Sequence, residues 1–121
     1  MSNKIKILQF STNWNNKLDC KAFTTLRLSN KWYQGQEIAI QFKEKWATGK
    51  IIDSRQIKCS QVNLFIAKID TGYNVDETLN ILGKMYNFDP YTNDKILNFL
   101  LVEKTSNWYT DKNFFIFDNS L

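Results

Sequence analysis

Apolar residues alternate with polar ones along most of the first half of the chain, and helical spacing takes over after Gly72. Lys4 to Phe10 (KIKILQF) predicts a first strand, rich in isoleucine and ended by the polar stretch Ser11 to Asn16. A short helix or turn around Trp14 to Asp19 follows. In Phe23 to Leu28 (FTTLRL), the period of two places Phe23, Thr25 and Arg27 on one face and Thr24, Leu26 and Leu28 on the other. One face is then free to join a core and the other to form a site. After a loop through Asn30 and a turn at Gln34-Gly35-Gln36, Glu37 to Lys43 alternates most cleanly. Ile38, Ile40 and Phe42 point inward there, with Glu37, Ala39, Gln41 and Lys43 outward. Lys50 to Lys58 (KIIDSRQIK) predicts a further strand, bent or bulged near its polar middle.

The second half reads differently. Gln61 to Asp70 is apolar but poor in β-branched residues around Asn63-Leu64-Phe65, which favours a short helix. Gly72 ends it. Asn74 with Glu77 three residues on has the spacing of a helix N-cap and its reciprocal partner, and Val75, Leu79, Leu82 and Met85 or Tyr86 then recur at helical spacing up to Asn87. Asp89-Pro90 marks a turn, and Ile96 to Glu103 (ILNFLLVE) is apolar enough to be a buried strand. Four strands, two helices and a closing strand predict an α+β fold, a small mixed β-barrel with two short helices covering one opening. The body spans residues 1–104. Residues 105–121 form an aromatic extension whose Phe114-Phe115-Ile116-Phe117 cluster should pack on the body, form an edge strand or meet a protein partner, the last being the expectation for a structural or interaction protein that docks through its tail.

Composition narrows the chemistry. The 121 residues suit one domain with its own core, and 43% hydrophobic content with a single proline argues against disorder. A net charge of +4 permits a polyanionic partner without demanding one. Cys20 and Cys59 have neither disulfide nor metal-ligand spacing, and no segment resembles a signal peptide or a membrane span, so the expected setting is cytoplasmic, away from membranes and without metal or other cofactor. The absence of histidine excludes serine–histidine and cysteine–histidine nucleophilic pairs and any imidazole acid–base step. Lysine, carboxylate, threonine, tyrosine or cysteine must carry any proton transfer.

Arg27 is one of two arginines, and within an apolar, β-branched run it requires either a carboxylate partner or a cleft open to an anion. Trp14, Trp32, Tyr33 and Trp46 fall in loops or at element ends, interleaved with Lys17, Lys31, Lys43, Lys45 and Lys50. Such aromatics either stack bases while lysines hold a nucleic-acid backbone, or cap the ends of a small barrel. Lys31 and the Gly35 turn favour exposure for Trp32 and Tyr33.

Taken in order, Phe23-Thr24-Thr25-Leu26-Arg27-Leu28, Trp32-Tyr33-Gln34-Gly35-Gln36-Glu37-Ile38, Gly49-Lys50-Ile51-Ile52 and Gly72-Tyr73-Asn74-Val75-Asp76-Glu77 resemble the ASCH domain of the PUA-like superfamily. The phage and prophage members are the most similar, and the resemblance covers about Lys4 to Glu103. It implies a partly open barrel whose cleft, lined by Thr25 and Arg27, recognises RNA or a nucleotide-like ligand; by the basic and aromatic pattern, Lys21, Trp32, Tyr33, Lys45 and Lys50 are candidate further contacts. Some ASCH relatives are amidohydrolases that deacetylate N4-acetylcytidine with a lysine, a threonine and a glutamate. Here the threonine matches Thr25, the lysine position falls on Ala22 with Lys21 one residue earlier, and the glutamate position falls on Thr71 with Asp70 one residue earlier. A catalytic alternative would therefore use Lys21, Thr25 and Asp70. The departures favour recognition over catalysis.

Overall fold

The computed structural model describes residues 5–28 and 31–110. Five strands form one sheet: β1 (Lys6–Phe10), β2 (Ala22–Arg27), β3 (Glu37–Phe42), β4 (Lys45–Lys58) and β5 (Ile96–Lys104). Two helices, α1 (Leu64–Asp70) and α2 (Val75–Tyr86), lie between β4 and β5 in sequence, and Trp14–Asp19 forms tight 3-10 turns between β1 and β2. The strand order is β1-β3-β4-β5-β2, with β1 parallel to β3 and every other pair antiparallel. The architecture is α+β, a half-barrel in which the two edge strands, β1 and β2, face each other across a seam that no backbone ladder closes.

Alternation decides what fills the two faces. The inner face carries Leu8, Phe23, Ile38, Ile40, Ile51, Leu100 and Val102, all buried in one cluster, with Leu18 and Trp32 packed on from the connections. Each such side chain contributes about 1.5–3 kcal/mol on leaving water. The opposite face of the β5–β2 end exposes Leu26, Leu97 and Phe99, and α1 and α2 cover it through Ala67, Leu79 and Leu82. The helices thus pack on the outer face of the β5–β2 end, and Asp70, Thr71, Ile81 and Leu82 line the seam between β1 and β2.

Local chemistry sets the element ends. Asn63 accepts from the Ile66 N–H at 2.9 Å to start α1. The Asn74 side chain accepts from Glu77 N–H at 2.8 Å while the Glu77 carboxylate accepts from Asn74 N–H at 3.2 Å, the reciprocal cap expected from their spacing. Asn87, in the left-handed region at φ 55°, stops α2. The register shift between Ile51 and Asp53 is the expected bulge in β4.

Three expectations are corrected. Strand β4 begins at Lys45, because Gly49 continues the ladder where a Cβ would meet Ile40 Cδ1 at 2.7 Å. Ala39 is buried, since this small side chain lies in register between Ile7 and Thr48 on a central strand. Lys43 has left the sheet for the β3–β4 turn at φ 55°. Among the described residues, no helix is long and apolar enough to cross a membrane. Of the aromatic extension, Thr105 N–H donates to the Thr48 carbonyl at 2.9 Å and Tyr109 bridges to Trp46. The Phe114 to Phe117 cluster lies outside the described residues.

Candidate functional site

The chain between β1 and β2 turns sharply through Asn15 and Asn16, both left-handed at φ 58° and 54°. Asparagine tolerates this conformation better than most residues. The double turn drops Lys17 and Leu18 into the interior. Asn15 donates to the Lys68 carbonyl at 3.2 Å, and Gly72, itself left-handed at φ 83°, leaves room for the Asn15 side chain where a Cβ would stand 3.1 Å away. The turns are thereby tied to the end of α1.

Lys17 Nζ reaches Asp70 Oδ1 at 3.1 Å, and both residues are about 95% buried, with 6% and 5% of their surface exposed. Thr24 Oγ1 donates to the same oxygen at 3.2 Å. Burial pushes the Lys17 ammonium below its ordinary 10.5 and the Asp70 carboxyl above its ordinary 3.8, and each charge partly restores the other. Removing either partner leaves an uncompensated interior charge.

Arg27 spans the seam. Its Nη2 donates to the Gln9 carbonyl of β1 at 2.8 Å, its Nε donates to Thr25 Oγ1 at 3.0 Å, and its guanidinium lies 4.6 Å from the Phe10 ring centroid. Lys17 Nζ approaches the same ring at 5.6 Å, and Phe10 meets Phe23 edge-on across the seam. Burial lowers the Arg27 pKa, with the Tyr86 hydroxyl and Asp70 opposing it; a guanidinium nevertheless remains charged. No carboxylate among the described residues comes within salt-bridge distance of Arg27. Two cations therefore share one carboxylate, an excess of one positive charge. The crevice bounded by Gln9, Phe10, Thr25, Arg27 and Asp70 offers about 20 Å³, room for one water-sized group.

The other residues singled out in the sequence scatter. Thr25 is buried and faces the seam with Arg27, and Asp70 closes its far side. Lys21 is exposed and lines a different and much larger groove, about 1010 Å³, with Asp19, Glu103, Lys104 and Trp108. Trp32 is buried against the inner core with Lys31 over its ring at 5.1 Å, so it presents no open stacking face. Tyr33 is 62% exposed on the neighbouring turn. Lys45 and Lys50 are exposed on β4, and Lys50 lies in register between Glu37 and Glu103, which offset its charge.

Sequence reasoning counted Lys17 only among the lysines near aromatics and set Thr24 on the face away from the site, and so missed the contacts of both with Asp70. Thr24 belongs to the face opposite Thr25, yet both reach the site because β2 is an edge strand flanked by α1 on one side and by the seam on the other. The one local signal for Lys17 was the Asn15-Asn16 doublet, a marker of a tight left-handed turn. Among the described residues, no group of three metal-ligating side chains is assembled. Comparison of the chain with protein-family models, with curated proteins and with solved structures finds no match.

Proposed function

We propose that this chain is an RNA- or nucleotide-binding domain of the ASCH type, a PUA-like barrel whose ligand enters at the β1–β2 seam framed by Thr25 and Arg27. The observation that supports it is the charge imbalance: Arg27 is held by neutral acceptors, while Lys17 takes the one nearby carboxylate. A phosphate or a polarised carbonyl supplies what the guanidinium lacks, in the bidentate geometry that arginine favours. Thr25 adds a directional hydrogen bond, and ligand entry requires Arg27 to release the Gln9 carbonyl. Direct binding of a short single-stranded RNA at fixed moderate salt tests this. Arg27→Ala should weaken binding at least tenfold, whereas Lys58→Ala, at the remote end of β4, should change it less than twofold. Equal losses in the two variants would overturn the reading.

A second reading rests on the convergence of Lys17, Thr24 and Asp70. In it the protein hydrolyses an acylated cytidine to cytidine and a carboxylic acid. Lys17, its proton affinity reduced by burial, shuttles a proton between the attacking water and the leaving amine, and Asp70 holds it in place. This replaces the set Lys21, Thr25 and Asp70, because Lys21 faces another groove. Release of cytidine from N4-acetylcytidine by the wild type, abolished in Lys17→Met, is the expected result. No turnover at high protein concentration rejects it.

A further inference from the structure

The seam crevice is too small for a whole nucleotide, but it does not end blindly. Trp14 and Ile81, which form part of its wall, also line a second groove of about 290 Å³ together with Tyr73, Glu77, Asn80 and Lys84. That volume lies near the lower end for small-molecule sites. We propose that this groove is a nucleobase subsite selecting bases that carry an exocyclic amino group, with the ribose phosphate directed toward Arg27 and Lys17. The inference rests on the nucleotide-binding reading above and extends it to base identity.

Four features support it. Trp14 and Tyr73 meet edge-to-face, with centroids 6.1 Å apart at 73°, so two aromatic rings stand at the lip in a fixed relation. Tyr73 remains 44% exposed although it packs against Trp14, leaving aromatic surface for a base. Ile81 supplies an apolar wall. Glu77 and Asn80 are three residues apart on α2, hence neighbours on its surface. The Glu77 carboxylate is oriented by its reciprocal cap, in which Oε1 accepts from Asn74 N–H, leaving the second oxygen as a fixed acceptor. The Asn80 side chain makes no hydrogen bond to another described residue and offers both a donor and an acceptor. A fixed carboxylate accepts from an amino group and repels a carbonyl oxygen at the same place.

AMP and IMP differ at that point, an amino group in one and an oxygen in the other. Calorimetric titration of the full chain with AMP, IMP and ribose 5-phosphate therefore tests the subsite. The wild type should bind AMP at least tenfold more tightly than IMP or ribose 5-phosphate. Trp14→Ala should bring AMP down to the affinity that ribose 5-phosphate shows for the same variant. Glu77→Gln, which keeps the helix cap, should narrow the AMP-to-IMP ratio to within threefold at unchanged melting temperature. Equal binding of all three ligands, or AMP affinity unaffected by Trp14→Ala, overturns the subsite while leaving an Arg27-dependent anion site intact. Absence of binding by all three ligands overturns both readings.

Discussion

Where β3 meets β4, six residue pairs in register and an aliphatic filling hold the sheet; where β1 faces β2, the same sheet is held by two cations, one carboxylate and two threonines. On the closed side each backbone group is satisfied by its neighbour, so nothing remains to offer a ligand. At the seam, edge groups depend on side chains, as when the Gln9 carbonyl accepts from Arg27. A side-chain closure yields to any ligand that presents a better acceptor. The molecule thus combines a rigid wall with one replaceable contact, and that asymmetry is open to direct challenge.

The largest expected effect comes from breaking the buried pair. Lys17→Met or Asp70→Leu alone should lower unfolding free energy by about 3–5 kcal/mol, because each strands a charge in the interior. The double variant should recover most of that loss, since two apolar side chains of similar length leave nothing unpaired. Urea unfolding of the three variants checks this, and single variants costing under about 1 kcal/mol would erase the contrast between seam and wall. The pair also imposes a pH signature. Asp70 holds its proton more tightly folded than unfolded, so its contribution to stability falls as pH climbs from 3.8 toward the raised folded value. Lys17 loses its proton more readily folded than unfolded, so its contribution rises as pH climbs from the lowered folded value toward 10.5. Stability should therefore dip between those windows, and the double variant should lose both slopes.

Two glycines carry the contrast at a smaller scale. Gly49→Ala on the closed side drives a methyl to 2.7 Å from Ile40 Cδ1 and 3.1 Å from the Glu103 carbonyl, an overpacking that should cost about 1–3 kcal/mol. Gly72→Ala on the seam side meets the Asn15 side chain and a left-handed backbone, and should cost about 1–2 kcal/mol. The two should part company in binding. Under the proposed nucleotide-binding reading, Gly49→Ala should leave affinity unchanged, whereas Gly72→Ala displaces the turns that carry Trp14 and Lys17 and should weaken it several-fold. Calorimetry on both variants, with equal losses in affinity as the adverse result, separates wall from seam.

The wall was legible in the sequence and the seam largely was not. Period-two alternation in Glu37 to Phe42 and the Asn74/Glu77 cap are local signals, read within one element, and the structure follows them. Thr25 and Arg27 were also legible, because an arginine in an apolar strand demands an explanation. What closes the seam is nonlocal. Lys17 and Asp70 are 53 residues apart, and a lysine in the polar stretch Trp14-Asn15-Asn16-Lys17 reads as solvated until the asparagine turns are seen to invert it. The placement of β2 beside β5, which makes β2 an edge strand, likewise depends on a pairing across more than seventy residues that no local pattern encodes.

The smallest expected effect concerns the lysine that the sequence favoured. Lys21 precedes Thr25 by four residues and Lys17 by eight, so proximity along the chain points to Lys21. Geometry points the other way. Lys21 is exposed beside Lys104 and Glu103, and its backbone carbonyl, not its ammonium, makes the structural contact, accepting from Lys104 N–H at 2.7 Å. Lys21→Ala removes a solvated charge from a groove separate from the seam and should change stability by less than about 0.5 kcal/mol. Under either functional reading it should also leave ligand affinity and any hydrolysis within twofold of wild type, against the large losses expected for Arg27→Ala or Lys17→Met. A Lys21→Ala variant that loses binding or turnover as severely as those two would move the working site out of the seam and into the larger groove, and would overturn the assignment of Lys17 to it.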